Sequence, residues 1–349
     1  MTDFDPNGVG IANGNIFGFP YTEEEATIVL IPIPWDATAS YGKGTSNGPK
    51  AILDASTQLD FFHPELDKAY DTKVFMAPIS EEWKEINDHC CDLSLEYISF
   101  LEDQGEELAL KKFQKHIDEI NSAHLALKEN LKQRCLGLLE KGKIPAVLGG
   151  EHSTPLGLIE ALNEKYEHFG ILQIDAHADL RVAYEGFVQS HASIMDNVLN
   201  NCANMQKLVQ VGIRDISERE VIYSMENNRI QTYYDWNIKT EQFAGKTWKD
   251  QVEEIIHHLP HNVYISFDID GLRPELCPNT GTPVVGGFDL QEISYLFFKL
   301  VASGRKIIGF DLNEVAPGKE GDWDANVGAR ALWQLVCATE KSRRKDIQK

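Results

Sequence analysis

Phe169-Gly170-Ile171-Leu172-Gln173-Ile174 runs directly into Asp175-Ala176-His177-Ala178-Asp179. The first six residues are mostly apolar and carry Gly near their start, as expected of a short strand buried in a parallel sheet. The next five hold three metal-competent side chains. In open parallel sheets chemistry gathers beyond the carboxyl ends of the strands, so two carboxylates and an imidazole just past one are well placed to grip a cation. Asp and His after a strand also serve simply to cap the next helix, and this stretch alone leaves both readings open.

On either side of it the same grammar recurs. Upstream, Gly142 ends a helix and Ile144-Pro145-Ala146-Val147-Leu148 empties into Gly149-Gly150-Glu151-His152-Ser153, whose two glycines allow a tight turn that presents His152. Thr27 to Ile31 and, more weakly, Lys73 to Met76 read as earlier strands; Leu208 to Val211, Ile230 to Tyr234, Val263 to Phe267 and Lys306 to Phe310 read as later ones. With helices between them, these predict one α/β domain, a three-layer α/β/α arrangement around a mostly parallel sheet of about eight strands.

Residues 1–25 are expected to form an extended arm, 26–340 the single domain and 341–349 a polar tail. Ile117, Ile120, Leu127, Leu131, Leu138 and Leu139 recur at helical spacing and mark an amphipathic helix on the sheet. A surface helical insertion is expected near residues 80–115, its charges forming a solvated face, with oligomer contacts as the alternative. The Gly-rich loop from Ser40 to Pro49 opens a helix at Pro49 but lacks the spacing of a phosphate cradle, so it reads as a structural bend.

A formal net charge of −21 disfavours nucleic acid as a partner, since a phosphate backbone needs a basic face. It suits a cationic ligand, or serves only solubility. No apolar run approaches the roughly 20 residues that span a bilayer, and the start Met1-Thr2-Asp3-Phe4-Asp5 has no signal-peptide pattern. A cytoplasmic protein with no membrane partner is therefore expected. The six cysteines lack zinc-type spacing and read as reduced.

Two further strand ends add acids: Asp268-Ile269-Asp270, where strand alternation should point both carboxylates the same way, and Glu314 in Asp311-Leu312-Asn313-Glu314. Together with His152, Asp175, His177 and Asp179, these provide enough donors for two divalent ions about 3.5 to 4 Å apart. Oxygen-rich ligation with two histidines favours Mn²⁺ over zinc and leaves Ni²⁺, Co²⁺ and Fe²⁺ open.

Gly149-Gly150-Glu151-His152-Ser153, Asp175-Ala-His-Ala-Asp179 and Ser266-Phe-Asp-Ile-Asp270-Gly271, in that order, resemble the three signatures of the ureohydrolases, the family of arginases and agmatinases. The likeness runs from Ile28 to Leu335. It takes in Ser40-Tyr41-Gly42, Gln210-Val211-Gly212-Ile213-Arg214 and Gly281-Thr282-Pro283, and its spelling around His152 and Ser190-His191-Ala192-Ser193 is closest to agmatinases. The resemblance implies an arginase-like fold, a homo-oligomer (trimer or hexamer), and two Mn²⁺ held by His152, Asp175, His177, Asp179, Asp268 and Asp270. It implies that His191 shuttles protons, that Glu314 pairs with the substrate guanidinium, and that a metal-bridging hydroxide attacks the guanidino carbon to release urea. Asp179 then counts as both ligand and catalytic residue.

Agmatine leads as substrate, with guanidine, arginine and guanidino acids behind it and formimidoylglutamate last. Arg181 and Arg273 stand where the family pattern differs; Arg181 would meet a substrate carboxylate or form a structural ion pair, and Arg273 changes the support or rim of the site. A two-metal phosphoesterase is disfavoured because its Asp-x-His normally comes first, and a non-catalytic binding protein because none of the six ligands is missing.

Overall fold

The computed structural model describes residues 4–319 and 321–347. Eight strands form one sheet: β1 (Ile28–Pro32), β2 (Val74–Met76), β3 (Ile144–Leu148), β4 (Phe169–Ile174), β5 (Met205–Ile213), β6 (Ile230–Tyr234), β7 (Asn262–Asp268) and β8 (Lys306–Asn313). Their spatial order is β2-β1-β3-β8-β7-β4-β5-β6, and every pair is parallel. The expected fold class and strand set are what the chain adopts. The last two strands lie in the middle of the sheet, between β3 and β4.

Among the described residues nine α-helices connect the strands, α1 (Gly48–Ser56), α2 (Glu81–Gln104), α3 (Glu106–Glu140), α4 (Leu156–Lys165), α5 (Ile194–Asn201), α6 (Glu218–Glu226), α7 (Asp235–Phe243), α8 (Trp248–His257) and α9 (Leu290–Ala302), and α10 (Trp323–Ile347) follows β8. Parallel strands need such crossovers, and both faces of the sheet are covered. One apolar layer joins α1 and α7 to α10 to the sheet through residues such as Ile52, Val252, Leu296 and Leu332. The other joins α2 to α5 to the opposite face through Tyr97, Leu131, Leu158 and Val198. Successive β4 side chains divide between them, Ile171 on one side and Leu172 on the other, as the period of two requires.

The expected insertion takes a definite form. Ser80 caps α2 by accepting from the Trp83 amide, and Gly105, with φ of 84°, turns the chain back into α3. α3 then continues to Glu140, so the insertion and the amphipathic helix share one element, locally distorted at Phe113. The charged outer faces of the pair are exposed in the single chain, while Cys90, Tyr97, Ile98 and Phe113 are buried.

The segment read as an arm has little regular structure, yet Ile16, Phe17 and Phe19 are fully buried. Phe4, Phe17, Phe19, Phe61 and Trp333 form a cluster with ring centroids 5.0 to 6.3 Å apart. Helix α10 carries residues 341–347 of the expected tail; positions 1–3 of the arm and 348–349 of the tail lie outside the described residues. Phe19→Ala should destabilise the protein by about 3–5 kcal/mol, and exposed Phe62→Ala by less than about 0.5 kcal/mol. Equal denaturant midpoints for the two variants would show that the arm is no part of the core.

Candidate metal centre

The four strand ends singled out in the sequence belong to four adjacent strands: β3 precedes His152, β8 precedes Glu314, β7 ends in Asp268, and β4 precedes Asp175. Their carboxyl ends therefore converge on one crevice, where sheet topology places ligands in such folds.

Glycines at the end of β3 make the approach possible by their lack of volume. A Cβ on Gly149 would lie 1.8 Å from Asn313 Oδ1, and one on Gly150 2.0 Å from the Trp35 carbonyl oxygen. Neither glycine has a positive φ, so close packing, and not the tight turn expected, is what excludes a side chain here. At β7 the expected alternation is replaced by a short 3₁₀ turn, Ile269–Gly271. Asp268 caps it by accepting from the Asp270 amide at 2.9 Å, and Asp270 Oδ1 accepts from the Ala176 amide at 3.0 Å. The two carboxylates converge through that turn.

His152 Nδ1 lies 3.0 Å from Asp175 Oδ2, 3.0 Å from Asp179 Oδ2 and 3.2 Å from Asp268 Oδ2. None of these contacts is aligned as a hydrogen bond: Nδ1 and Asp179 Oδ2 are buried without a partner. His177 Nδ1 stands 3.0 Å from Asp270 Oδ2 and 3.6 Å from Asp175 Oδ1. The ligand atoms of His152, Asp175 and Asp179 form one compact group, and those of Asp175, His177 and Asp270 a second, with Asp175 common to both.

The other ring nitrogen of His152 is fixed from behind. Ser266 Oγ donates to Asp311 Oδ1 at 3.2 Å, so at 2.8 Å it accepts the proton of His152 Nε2. That tautomer leaves the Nδ1 lone pair facing the carboxylates, the arrangement a metal-binding histidine takes. A relay of amides serves Asp175: Thr232 Oγ1 donates to Gln210, Gln210 Nε2 to Gln173 at 2.7 Å, and Gln173 Nε2 to Asp175 Oδ2 at 2.8 Å. Glu151, Gln173, Gln210, Ser266 and Asp311 carried no role in the sequence reading. For Gln173 and Gln210 the visible signal was a lone Gln inside an apolar strand run, because a polar side chain facing the interior must have a partner.

Burial and mutual repulsion raise the Asp179 carboxyl to about 7, Asp175 being the nearest like charge. Burial, then Asp270 and Asp175, lift Asp268 well above the usual range. Burial would likewise raise Asp175, but His152 and His177 hold it below the ordinary value. Burial would lower both histidines, yet the carboxylates drive His152 well above its ordinary value and His177 to about 12. The cluster therefore attracts positive charge to where Nδ1 of His152 faces the acids, a place a divalent cation could take in competition with a proton.

His191 lies outside both ligand groups. Its Nδ1 is 3.1 Å from the Thr38 carbonyl oxygen and 3.4 Å from Glu151 Oε2, while Nε2 is 3.2 Å from Ser40 Oγ. Burial would lower its pKa, but Glu151, then Glu314 and Asp179, raise it. Glu151 itself is held by the amides of Thr38 and His191, each at 3.1 Å. Glu314 is buried, with its Oε1 accepting from the His152 amide at 2.9 Å, which leaves Oε2 the freer acceptor. Burial is the main reason its carboxyl rises to about 8. Asp179 and Glu314 both have positive φ, 56° and 63°, a strained conformation for such residues.

Ser40, Tyr41, His177, Asp179, Tyr184 and His191 line a cavity of about 240 Å³. Arg181 stands at its side with Nε 3.6 Å from Glu220 and its guanidinium 4.6 Å from the Tyr184 ring centroid, so it has the ion-pair partner that one of its two readings required. Arg273 is elsewhere, 2.7 Å from Asp289. The Ser40–Pro49 loop spends its amides internally, Gly44 and Ser46 donating to Asp36, as a structural bend does. All six cysteines are free. Among the described residues no helix is long and apolar enough to cross a membrane.

A model of the Arginase family matches residues 26–338. The N(1)-aminopropylagmatine ureohydrolase of Synechocystis sp. is 29% identical over 324 residues, 93% of this chain and 92% of its own length. The agmatinase of Bacillus subtilis is 28% identical over 316 residues, 90% and 92%. The crystal structure of the agmatine ureohydrolase of Thermoplasma volcanium superposes with a TM-score of 0.70 at 22% identity, over 99% of this chain and 98% of that one. With the family matched across nearly the whole chain and the candidate ligand groups gathered on one crevice, this chain belongs to the arginase family of hydrolases.

Proposed function

We propose that this chain is a binuclear manganese ureohydrolase that cleaves the guanidino C–N bond of agmatine, giving urea and the free amine. The two ligand groups sharing Asp175 carry this reading. His152, Asp175, Asp179 and Asp268 would hold one ion, and Asp175, His177 and Asp270 the other; oxygen-rich donors suit Mn²⁺. Such a pair, when bound, lowers the pKa of water enough to supply a nucleophile near neutral pH.

The chain's own groups do the rest. Glu314 Oε2 accepts from the guanidinium N–H groups and orients the planar carbon towards the metal end. As water adds and the C–N bond breaks, the departing nitrogen takes a proton, and His191 Nε2 supplies it. Glu151 and the Thr38 carbonyl oxygen hold that ring in place from its Nδ1 side. The excess of acids favours a cationic substrate.

A longer amine-tailed substrate is the second reading. Relatives named for N(1)-aminopropylagmatine, together with a larger cavity of about 800 Å³ that shares Arg181, Tyr184 and Glu220 with the first, favour it. Urea release from agmatine, N(1)-aminopropylagmatine, arginine, 4-guanidinobutyrate and guanidine separates these readings. Guanidine turned over far faster than every tailed compound would overturn both.

Asp175→Asn and Asp270→Asn should each lose at least one metal equivalent by elemental analysis, along with nearly all turnover; two full equivalents in both variants would remove the ligand assignment. His191→Ala should retain both metals and slow kcat by about ten- to a hundredfold or more. Metal loss in that variant would make His191 a ligand instead of a proton carrier.

A further inference from the structure

Helices α2 and α3 do more than cover the sheet: they grip the segment between Ala183 and Gln189. Tyr97 Oη donates to the Glu185 carbonyl oxygen at 2.9 Å. Asn121 Nδ2 donates to the Gly186 carbonyl oxygen at 3.1 Å, and its Oδ1 accepts from the Val188 amide at 2.9 Å. His124 Nδ1 is 3.0 Å from Gln189 Oε1, and the Tyr97 and Phe187 rings pack edge to face at 5.7 Å. The gripped backbone is one that would not hold itself, with φ of 44° at Ala183 and 54° at Glu185.

This grip places Tyr184 at the junction of the two cavities and Glu185 in the outer one. Tyr184 meets the His191 ring edge to face at 6.1 Å and lines both. Glu185 lines the outer one, beside Leu101 and Glu106 from the helix pair. Its Oε2 is shielded from solvent and has no hydrogen-bond partner, while the neighbouring Tyr184 hydroxyl and the charges of His191, Lys43 and Arg181 act on the carboxylate as a whole. Burial raises its carboxyl above the ordinary range. A shielded carboxylate oxygen without a donor, in the cavity that adjoins the reaction chamber through Tyr184, is matched by a cation arriving with the substrate.

We infer that Glu185 reads the far end of the substrate, its carboxylate receiving an ammonium carried on the tail of the guanidino compound, and that Tyr97 and Asn121 are positioning residues that hold it there. This rests on the hydrolase reading above and adds the residue that selects the tail. On this reading the helical insertion sets where the tail charge is read. Arg181 at the junction is engaged by Glu220 and Tyr184, and the positive charges that act on Glu185, those of His191, Lys43 and Arg181, do so without forming an ion pair with it among the described residues.

The test compares agmatine with N-butylguanidine, which has the same carbon chain and no amine, in wild type, Glu185→Gln and Tyr97→Phe. The ratio of kcat/KM for agmatine to that for N-butylguanidine should fall about ten- to a hundredfold in Glu185→Gln, the scale of one charge-assisted hydrogen bond, with the change mainly in KM. It should fall by a smaller factor in Tyr97→Phe, which keeps the ring and loses only the bond to the loop. An unmoved ratio in Glu185→Gln, with urea still released, overturns the role of Glu185 and leaves the hydrolase standing. Should that variant fail to fold, an unmoved ratio in Tyr97→Phe overturns it equally. Urea released by wild type from neither of these compounds nor from N(1)-aminopropylagmatine removes the hydrolase reading proposed above and this one with it.

Discussion

Repulsion among buried carboxylates governs how this protein is built. Asp175, Asp179, Asp268, Asp270 and Glu314 are all nearly excluded from solvent in one crevice. Such a cluster opposes folding unless each oxygen is met by a donor or a cation. The protein supplies donors wherever the backbone can reach: Ala176 to Asp270, His177 to Asp175, His152 to Glu314. It leaves His152 Nδ1 and Asp179 Oδ2 unmet at the centre. A parallel sheet suits this purpose because all its strands deliver their carboxyl ends to one edge.

Rigidity around the cluster follows from the second layer. Asp311 takes donors from Tyr264, Ser266 and the Phe267 amide, and through Ser266 it fixes the tautomer of His152. The strained backbones of Asp179 and Glu314 persist because their neighbours leave them no alternative: the Asp179 carbonyl oxygen accepts from both Met195 and Asp196, and the Glu314 amide donates to the Gly150 carbonyl oxygen. Loops hold the remaining groups, and the pair α2 and α3 stiffens the one that borders the cavity.

Much of this was legible in the sequence because it is written locally. Each strand is a short apolar run, and each cluster of acids and histidines follows one directly, so the eight strands and the gathering of His152, Asp175, His177, Asp179, Asp268 and Asp270 could be read without coordinates. What could not be read is written between distant segments. Strand order is one case: nothing near Val263 or Lys306 says that β7 and β8 enter the middle of the sheet. The turn at Asp270 is another, since an apolar strand with alternating acids predicts the right direction for the wrong reason. Glu151 and Gln173 stood in plain sight, but their partners Thr38, His191 and Gln210 lie far along the chain. Tyr97 and Asn121 looked like ordinary helix residues, and only the packed structure shows which loop they hold.

The strand order also dictates a timetable. As the chain leaves the ribosome, β1 to β3 can pair with one another, and so can β4 to β6, but these two half-sheets share no edge. They are joined only when β7 and β8, ending at Asn313, slot between them. Until then β3 and β4 each present a bare, strongly apolar edge, the kind of surface that makes partly made chains stick to one another. The crevice does not exist in any shorter fragment, so the candidate ligand groups are not brought together before more than 300 residues have been synthesised. Placing the two most central strands last ties assembly of the acidic crevice to completion of the fold itself.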